Sequence, residues 1–177
     1  MSLKHAILVQ LETKPGSGYD LLQHFKGGLG YFWNAKHQQI YQQLKKLTEQ
    51  EFITFSLEQQ NGKPDKKVYK ITELGIKELK RWLSGSVKPN KINDALLVKL
   101  YGGHLIEEDN LVNELKCHQQ THEKIYNNLL EIEQTYLNSS LPSREKYKLP
   151  YLTLRRGILG EQAWLSWAKE ALQMIKK

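Results

Sequence analysis

The chain has 177 residues, 40% of them hydrophobic, with a net charge of +7 and a pI near 9.3. That length and apolar content allow one domain or two small ones with a real core. A single cysteine, Cys117, excludes an intrachain disulfide and a Cys-based zinc cage, and no apolar run reaches the ~18 residues of a membrane span. The charge is uneven: up to Lys88 there are 14 Lys and Arg against 8 Asp and Glu, and beyond it 12 against 11. A basic first half favours a polyanionic partner, nucleic acid or a membrane surface. The N-terminal MSLKHAILVQL has no small-residue cleavage site after its apolar run, so it does not read as a signal peptide. With the lone thiol, this points to the cytoplasm.

In chain order, Ser2 can cap a first helix with Leu3, Ala6, Ile7, Leu8 and Leu11 as a broad apolar face. Pro15-Gly16-Ser17-Gly18 breaks that pattern, and a second helix follows from Tyr19 to about Phe25. Gly27-Gly28-Leu29-Gly30 breaks it again, and Tyr31, Phe32 and Trp33 form an aromatic cluster. Asn34 is a suitable N-cap for a third helix, whose apolar face is Ile40, Leu44 and Leu47. Its other face carries Lys36, His37, Gln38, Tyr41 and Lys45, all hydrogen-bond donors and none acidic. Such a face fits a DNA major groove, although the stretch alone also fits a solvated amphipathic helix.

Alternation over Phe52–Gln60, turn chemistry at Asn61-Gly62-Lys63-Pro64-Asp65, and a second apolar alternation over Lys66–Ile71 predict a hairpin. Lys63, Lys66 and Lys67 sit at its tip. Thr72 caps a fourth helix with Leu74, Leu79, Trp82 and Leu83 inward. Three helices, a basic-tipped hairpin and a closing helix make a winged helix-turn-helix, with the third helix for the major groove and the hairpin for the flanking backbone. The fold expected is mainly α with a small β-hairpin. It comprises a winged helix-turn-helix over 1–88 and an α-helical dimerisation domain over 89–177.

Residues 3–83 resemble the PadR family of bacterial transcriptional regulators. The match runs through Ala6-Ile7-Leu8, Pro15 with Gly18-Tyr19-Asp20-Leu21-Leu22, Phe32-Trp33, Ile40-Tyr41 and Leu44-Lys45-Lys46-Leu47. It continues through Lys66–Gly75, KKVYKITELG, and Trp82-Leu83. Three positions depart from the family pattern: Gln39 where a small Ser or Thr is usual, Gln42 where Pro often stands, and Glu51 where Gly commonly ends the third helix. By matching positions the resemblance implies that Tyr19, Lys36, His37, Gln38, Tyr41 and Lys45 face DNA from the helices. From the wing it implies Lys63, Lys66, Lys67 and Tyr69. A Gln amide can pair with adenine N6 and N7, which makes Gln38 the candidate base reader.

In the second half, Lys88-Pro89-Asn90-Lys91 reads as a hinge, and Asn93 or Asp94 caps a helix to about Tyr101, ended by Gly102-Gly103. Leu111, Leu115, His118, His122, Ile125, Leu129, Ile132 and Tyr136 keep a 4-3 spacing, the seam of a long helix packed on another long helix. His118 and His122 have metal-ligand spacing but no third ligand, so a polar seam position is the better reading and no metal or cofactor is expected. Asn138–Pro150 reads as a loop. A last helix over about Leu152–Ile175 carries one stripe through Leu154, Ile158, Leu165, Ala168, Leu172 and Ile175, and another through Trp164, Trp167, Ala171 and Met174. Asn93–Tyr101 and Leu152–Trp167 look like the C-terminal domain of virulence-activator-type PadR relatives, in which these helices build a dimer. Leu111, Leu115, Ile125, Leu129, Ile158, Trp164, Leu165 and Trp167 are the expected interface. Some members of that family respond to small aromatic molecules, and Trp82, Trp164 and Trp167 are candidate pocket residues.

The function expected is that of a homodimeric repressor binding double-stranded DNA at a palindrome, released by a small aromatic effector. The rival is a protein-interaction or ligand-binding module that keeps the winged-helix shape without reading sequence. An enzyme is not expected: Gly27–Gly30 lacks the Lys-Ser/Thr of a phosphate-binding loop, and no nucleophile elbow or carboxylate pair stands out.

Overall fold

The structure, a computed structural model, describes residues 3–26, 35–60, 63–89, 91 and 93–175, with only the backbone at Lys26, Gln60, Lys63 and Pro64. The Ser2 cap, the Gly27–Gly30 break, the Tyr31–Trp33 cluster, Asn34 and the Asn61-Gly62 turn lie outside the described residues. The chain divides into two units, 1–89 and 90–177.

The first unit contains α1 (Leu3–Thr13), α2 (Gly18–Lys26), α3 (His37–Glu49) and α4 (Glu73–Leu83), with strands β1 (Gly16–Ser17), β2 (Ile53–Gln60) and β3 (Lys63–Ile71). The helices bury the stripes their spacing dictates: Ile7, Leu8 and Leu11 from α1, Leu21 and Phe25 from α2, and Ile40, Leu44 and Leu47 from α3. Ile53, Tyr69, Ile71 and Leu79 complete the core. The expected two-stranded hairpin is the larger part of a three-stranded antiparallel sheet, ordered β1-β3-β2, with Gly16 opposite Tyr69 and Ile53 opposite Ile71. The extra strand is two residues long, too short for any alternation to reveal it.

On α4, Leu79 is buried and Trp82 partly so, whereas Leu74 and Leu83 point outward, against expectation. Gly75 and Ile76 take the inner face instead, because the helix starts so close to the sheet that its first turn has room for little side chain. Glu78 ties α4 to α1. Lys4 Nζ lies 2.6 Å from it, Arg81 donates at 2.8 Å, and the His5 ring, stacked on Trp82, approaches at 3.2 Å. The Lys4 hydrogen bond leads in lowering the Glu78 pKa to about 2, and burial holds His5 below its ordinary value.

Helix α3 ends in a Schellman turn: the Glu51 amide donates to the Thr48 carbonyl and the Phe52 amide to Leu47, both at 3.0 Å. The turn requires a left-handed residue, and Glu51 takes it at φ 58°. This is the position where the family's glycine is replaced. A side chain in that conformation costs about 1–2 kcal/mol, partly offset by glycine's greater freedom in the unfolded chain. Glu51→Gly is therefore expected to stabilise the first unit by about 0.5–1 kcal/mol, read as a raised midpoint in thermal or urea unfolding. A lowered midpoint would mean that the carboxylate makes a contact worth more than the strain.

The second unit contains α5 (Ala95–Tyr101), a 3-10 turn at Gly103–Leu105, α6 (Glu108–Leu137), α7 (Leu141–Lys146) and α8 (Lys148–Ile175). Asp94 is the cap of α5, its carboxylate accepting from the Leu96 amide at 2.9 Å. The stretch expected to be a loop holds α7 and the first turn of α8. Pro142 and Pro150 fall in opening turns, where the missing N–H has no partner to lose. Helices α6 and α8 run antiparallel, with His122 against Glu161 and Glu133 against Arg155. The seam holds at Leu111, Leu115 and Leu129. Toward its end Ile132 turns outward and Glu133 is buried instead, as expected when a 3.6-residue helix drifts against a 3.5-residue repeat. Glu133 accepts from the Tyr151 hydroxyl at 3.0 Å and from Arg155 at 2.9 Å, and Tyr151 stacks on Tyr136. Among the described residues no helix is long and apolar enough to cross a membrane.

Candidate nucleic-acid interface

Helix α3 begins at His37, and Lys36, not Asn34, is its cap residue. The Lys36 amide donates to the Gln39 side-chain oxygen at 2.9 Å, so Gln39 closes the start of the helix. With Ile40, Leu44 and Leu47 wholly buried, Lys36, His37, Gln38, Tyr41 and Lys45 are all exposed. Lys45 is held only by a 3.9 Å approach to Glu49, a solvent-screened pair that leaves its charge available. His37 leans on Tyr41 with ring centroids 4.6 Å apart. The Tyr41 ring in turn crosses the start of α2, so close that a Cβ on Gly18 would lie 2.7 Å from its Cζ. Glycine at 18 thus lets α2 and α3 approach, and leaves Tyr19 exposed beside them.

The four wing residues do not share one environment. Lys67 is exposed, with its ammonium 4.6 Å above the Phe55 ring. Lys63 stands at the turn end of β3 with its side chain outside the described residues. Lys66 is paired with Asp20 of α2 at 3.0 Å. Tyr69 is only 9% exposed and belongs to the core, where burial pushes its phenol pKa up. Its side chain joins the core cluster of the first unit, with the Phe55 ring 5.8 Å away, so the expectation of an outward, DNA-facing Tyr69 is corrected.

The Asp20 anchor is a feature the sequence reading missed. The Ser17 hydroxyl accepts from the Asp20 amide at 3.2 Å, while Asp20 Oδ2 accepts from the Ser17 amide at 2.9 Å and its hydroxyl at 2.8 Å. That is a capping box, and the signal was present as Ser17-x-x-Asp20 ahead of an apolar run. The Ser17 amide leads in lowering the Asp20 pKa to about 2.

In the second unit, Leu111, Leu115, Leu129 and Ile158 are at most 6% exposed within a single chain. The expectation that they form a subunit interface is corrected: the long helix that covers the α6 seam is α8 of the same chain. Ile125 and Leu165 are half-buried. Trp164 stacks on His122 at 3.7 Å and meets Trp167 edge-on, so the tryptophan stripe also packs inward. Trp82 packs on His5 within the first unit. The exposed apolar side chains lie elsewhere, on Val98, Tyr101 and Leu105 and along one α8 stripe of Leu149, Leu152 and Leu159. Cys117 is exposed, and among the described residues no cluster of His, Cys, Asp and Glu is placed to hold a metal.

A helix pair whose second member presents an exposed basic face, beside a lysine-bearing hairpin, defines a winged-helix DNA-binding protein. Two family models match the chain: the transcriptional regulator PadR-like family over residues 7–81 and the virulence activator alpha C-terminal domain over 92–176. The negative transcriptional regulator PadR of Bacillus subtilis is 34% identical over 99% of this chain and 98% of its own. Its crystal structure with operator DNA superposes with a TM-score of 0.81 at 33% identity, covering 98% of each chain. Its complex with p-coumaric acid gives 0.74 at 31% identity over 99% and 96%. The Vibrio cholerae virulence activator AphA gives 0.78 at 32% identity over 99% and 98%. The chain belongs to the PadR family and is a DNA-binding transcriptional regulator, which sets the enzyme class aside.

Proposed function

We propose that the protein is a cytoplasmic, homodimeric repressor of a palindromic operator. The exposed donor-rich face of α3 from Lys36 to Lys45 carries this reading, and the description of the B. subtilis relative as a negative regulator supports it. Lys36, His37, Gln38, Tyr41 and Lys45 enter the major groove, with Tyr19 beside them. Lys67 and Lys63 hold the flanking backbone. Lysines and tyrosines on phosphates set register, and Gln38 reads an adenine. The second copy is met by the exposed apolar side chains of α5 and α8, which sets half-sites ~34–36 Å or a multiple apart. A small aromatic effector relieves repression, as the p-coumaric acid complex of the relative suggests, with Trp164 and Trp167 of the second unit as candidate contacts. Its coupling to DNA is then reciprocal, about 1–3 kcal/mol.

Binding-site selection from random duplexes at about 150 mM salt tests the reading. The expected outcome is a palindromic consensus. Gln38→Ala should cost about 1–3 kcal/mol on that consensus and relax one base pair per half-site while leaving the rest intact. Salt-sensitive background without enrichment would favour the interaction-module alternative.

A further inference from the structure

Lys66 and Lys67 are neighbours on β3, so their side chains leave opposite faces of the strand and meet different surroundings. Lys67 lies over the Phe55 ring, a contact that leaves its N–H groups free for a phosphate. Lys66 meets a carboxylate already fixed by two donors from Ser17, at 3.0 Å. A phosphate approaching Lys66 would have to share its ammonium with the Asp20 carboxylate, which cancels the lysine's charge and repels the polyanion. We infer that Asp20 withholds Lys66 from DNA: Lys66 positions the wing against α2, and the Asp20 carboxylate lowers sequence-independent affinity. This rests on the proposed placement of the wing along the DNA backbone. Non-specific binding is electrostatic and grows with each phosphate neutralised. A lysine kept from the backbone therefore weakens background binding while base contacts are untouched.

The test is the salt dependence of binding to the selected operator and to a scrambled duplex. Lys67→Ala is expected to reduce the slope of log K against log salt by about 0.9, the value of one phosphate contact. Lys66→Ala should leave the slope unchanged. Asp20→Asn keeps an acceptor for Ser17 but frees Lys66. It should raise the slope by about 0.9 and tighten the scrambled duplex roughly fivefold near 0.15 M salt. Adding Lys66→Ala to Asp20→Asn should abolish both gains. A loss of slope in Lys66→Ala equal to that in Lys67→Ala would overturn the inference, as would an Asp20→Asn protein with unchanged slope. Should Asp20→Asn not fold, Lys66→Met, which keeps the aliphatic stem, decides by its slope alone. Failure of the underlying reading looks different: the unmodified protein would then show no operator preference, and Lys67→Ala no change of slope.

Discussion

Replacing Gly75 by alanine should destabilise the first unit by roughly 2–4 kcal/mol, although alanine is ordinarily about 1 kcal/mol better than glycine inside a helix. Gly75 lies in the first turn of α4, and its amide donates to the Thr72 hydroxyl oxygen at 3.1 Å. That hydroxyl donates to the Glu51 carbonyl at 2.7 Å, and the Thr72 amide to the Phe52 carbonyl at 3.0 Å. The end of α3 and the start of α4 are therefore stitched together. A Cβ at 75 would stand 2.1 Å from the Phe52 oxygen and 2.8 Å from Ile71 Cγ1. The first neighbour is backbone and cannot rotate away, so the stitch itself must open. Urea unfolding measures the loss. Because the end of α3 is displaced with it, operator affinity should also fall well below the unfolding transition. A stabilised Gly75→Ala protein would show that this junction is looser than described.

Leu152→Asp should convert the proposed dimer to a monomer and weaken operator binding about a hundredfold or more, the usual loss when two linked sites bind separately. Leu152 is 56% exposed on α8, one turn from Leu149 and two from Leu159, with Arg156 between. The opposite face of the same helix is spent on α6 through Ile158 and Ala168. A charge placed amid that outer apolar stripe must be desolvated if a second copy covers it, whereas it costs almost nothing if water does. Sedimentation reports the oligomer and duplexes carrying one or two half-sites report the binding. A monomer that still binds a single half-site at wild-type strength would locate the defect in assembly. An intact dimer would move the interface elsewhere, with Tyr101, 94% exposed, as the next residue to test.

The order of elements and the bare face of α3 were legible because both follow from apolar spacing, which reports what is hidden from water. Spacing does not report what does the hiding. The α6 seam reads as well for a partner copy as for α8, and only the folded chain distinguishes them. Composition placed Lys66 with Lys67 because both are basic, but Asp20, distant in sequence on α2, pairs with Lys66 alone of the two and gives them different surroundings. Tyr69 sits in a family motif beside a lysine-rich turn, and its burial follows from the tertiary core it joins, which local spacing does not report. The 138–150 segment has the prolines and polar residues of a loop, yet prolines in opening helical turns are compatible with α7 and α8. Glu51 was visible as a departure from the family, but its left-handed backbone was not.

Glu133 carries a consequence for how the second unit assembles. Two long helices with repeating apolar stripes can slide by a turn and keep most of their oily contact. In the observed alignment the Glu133 carboxylate meets Tyr151 and Arg155 of α8. Shifted by one turn, it would be enclosed with neither donor in reach, and an enclosed, unpaired charge is among the costliest errors a fold can make. The acid thus acts as an index mark: it adds little to how firmly the helices adhere, and selects the one alignment in which they do.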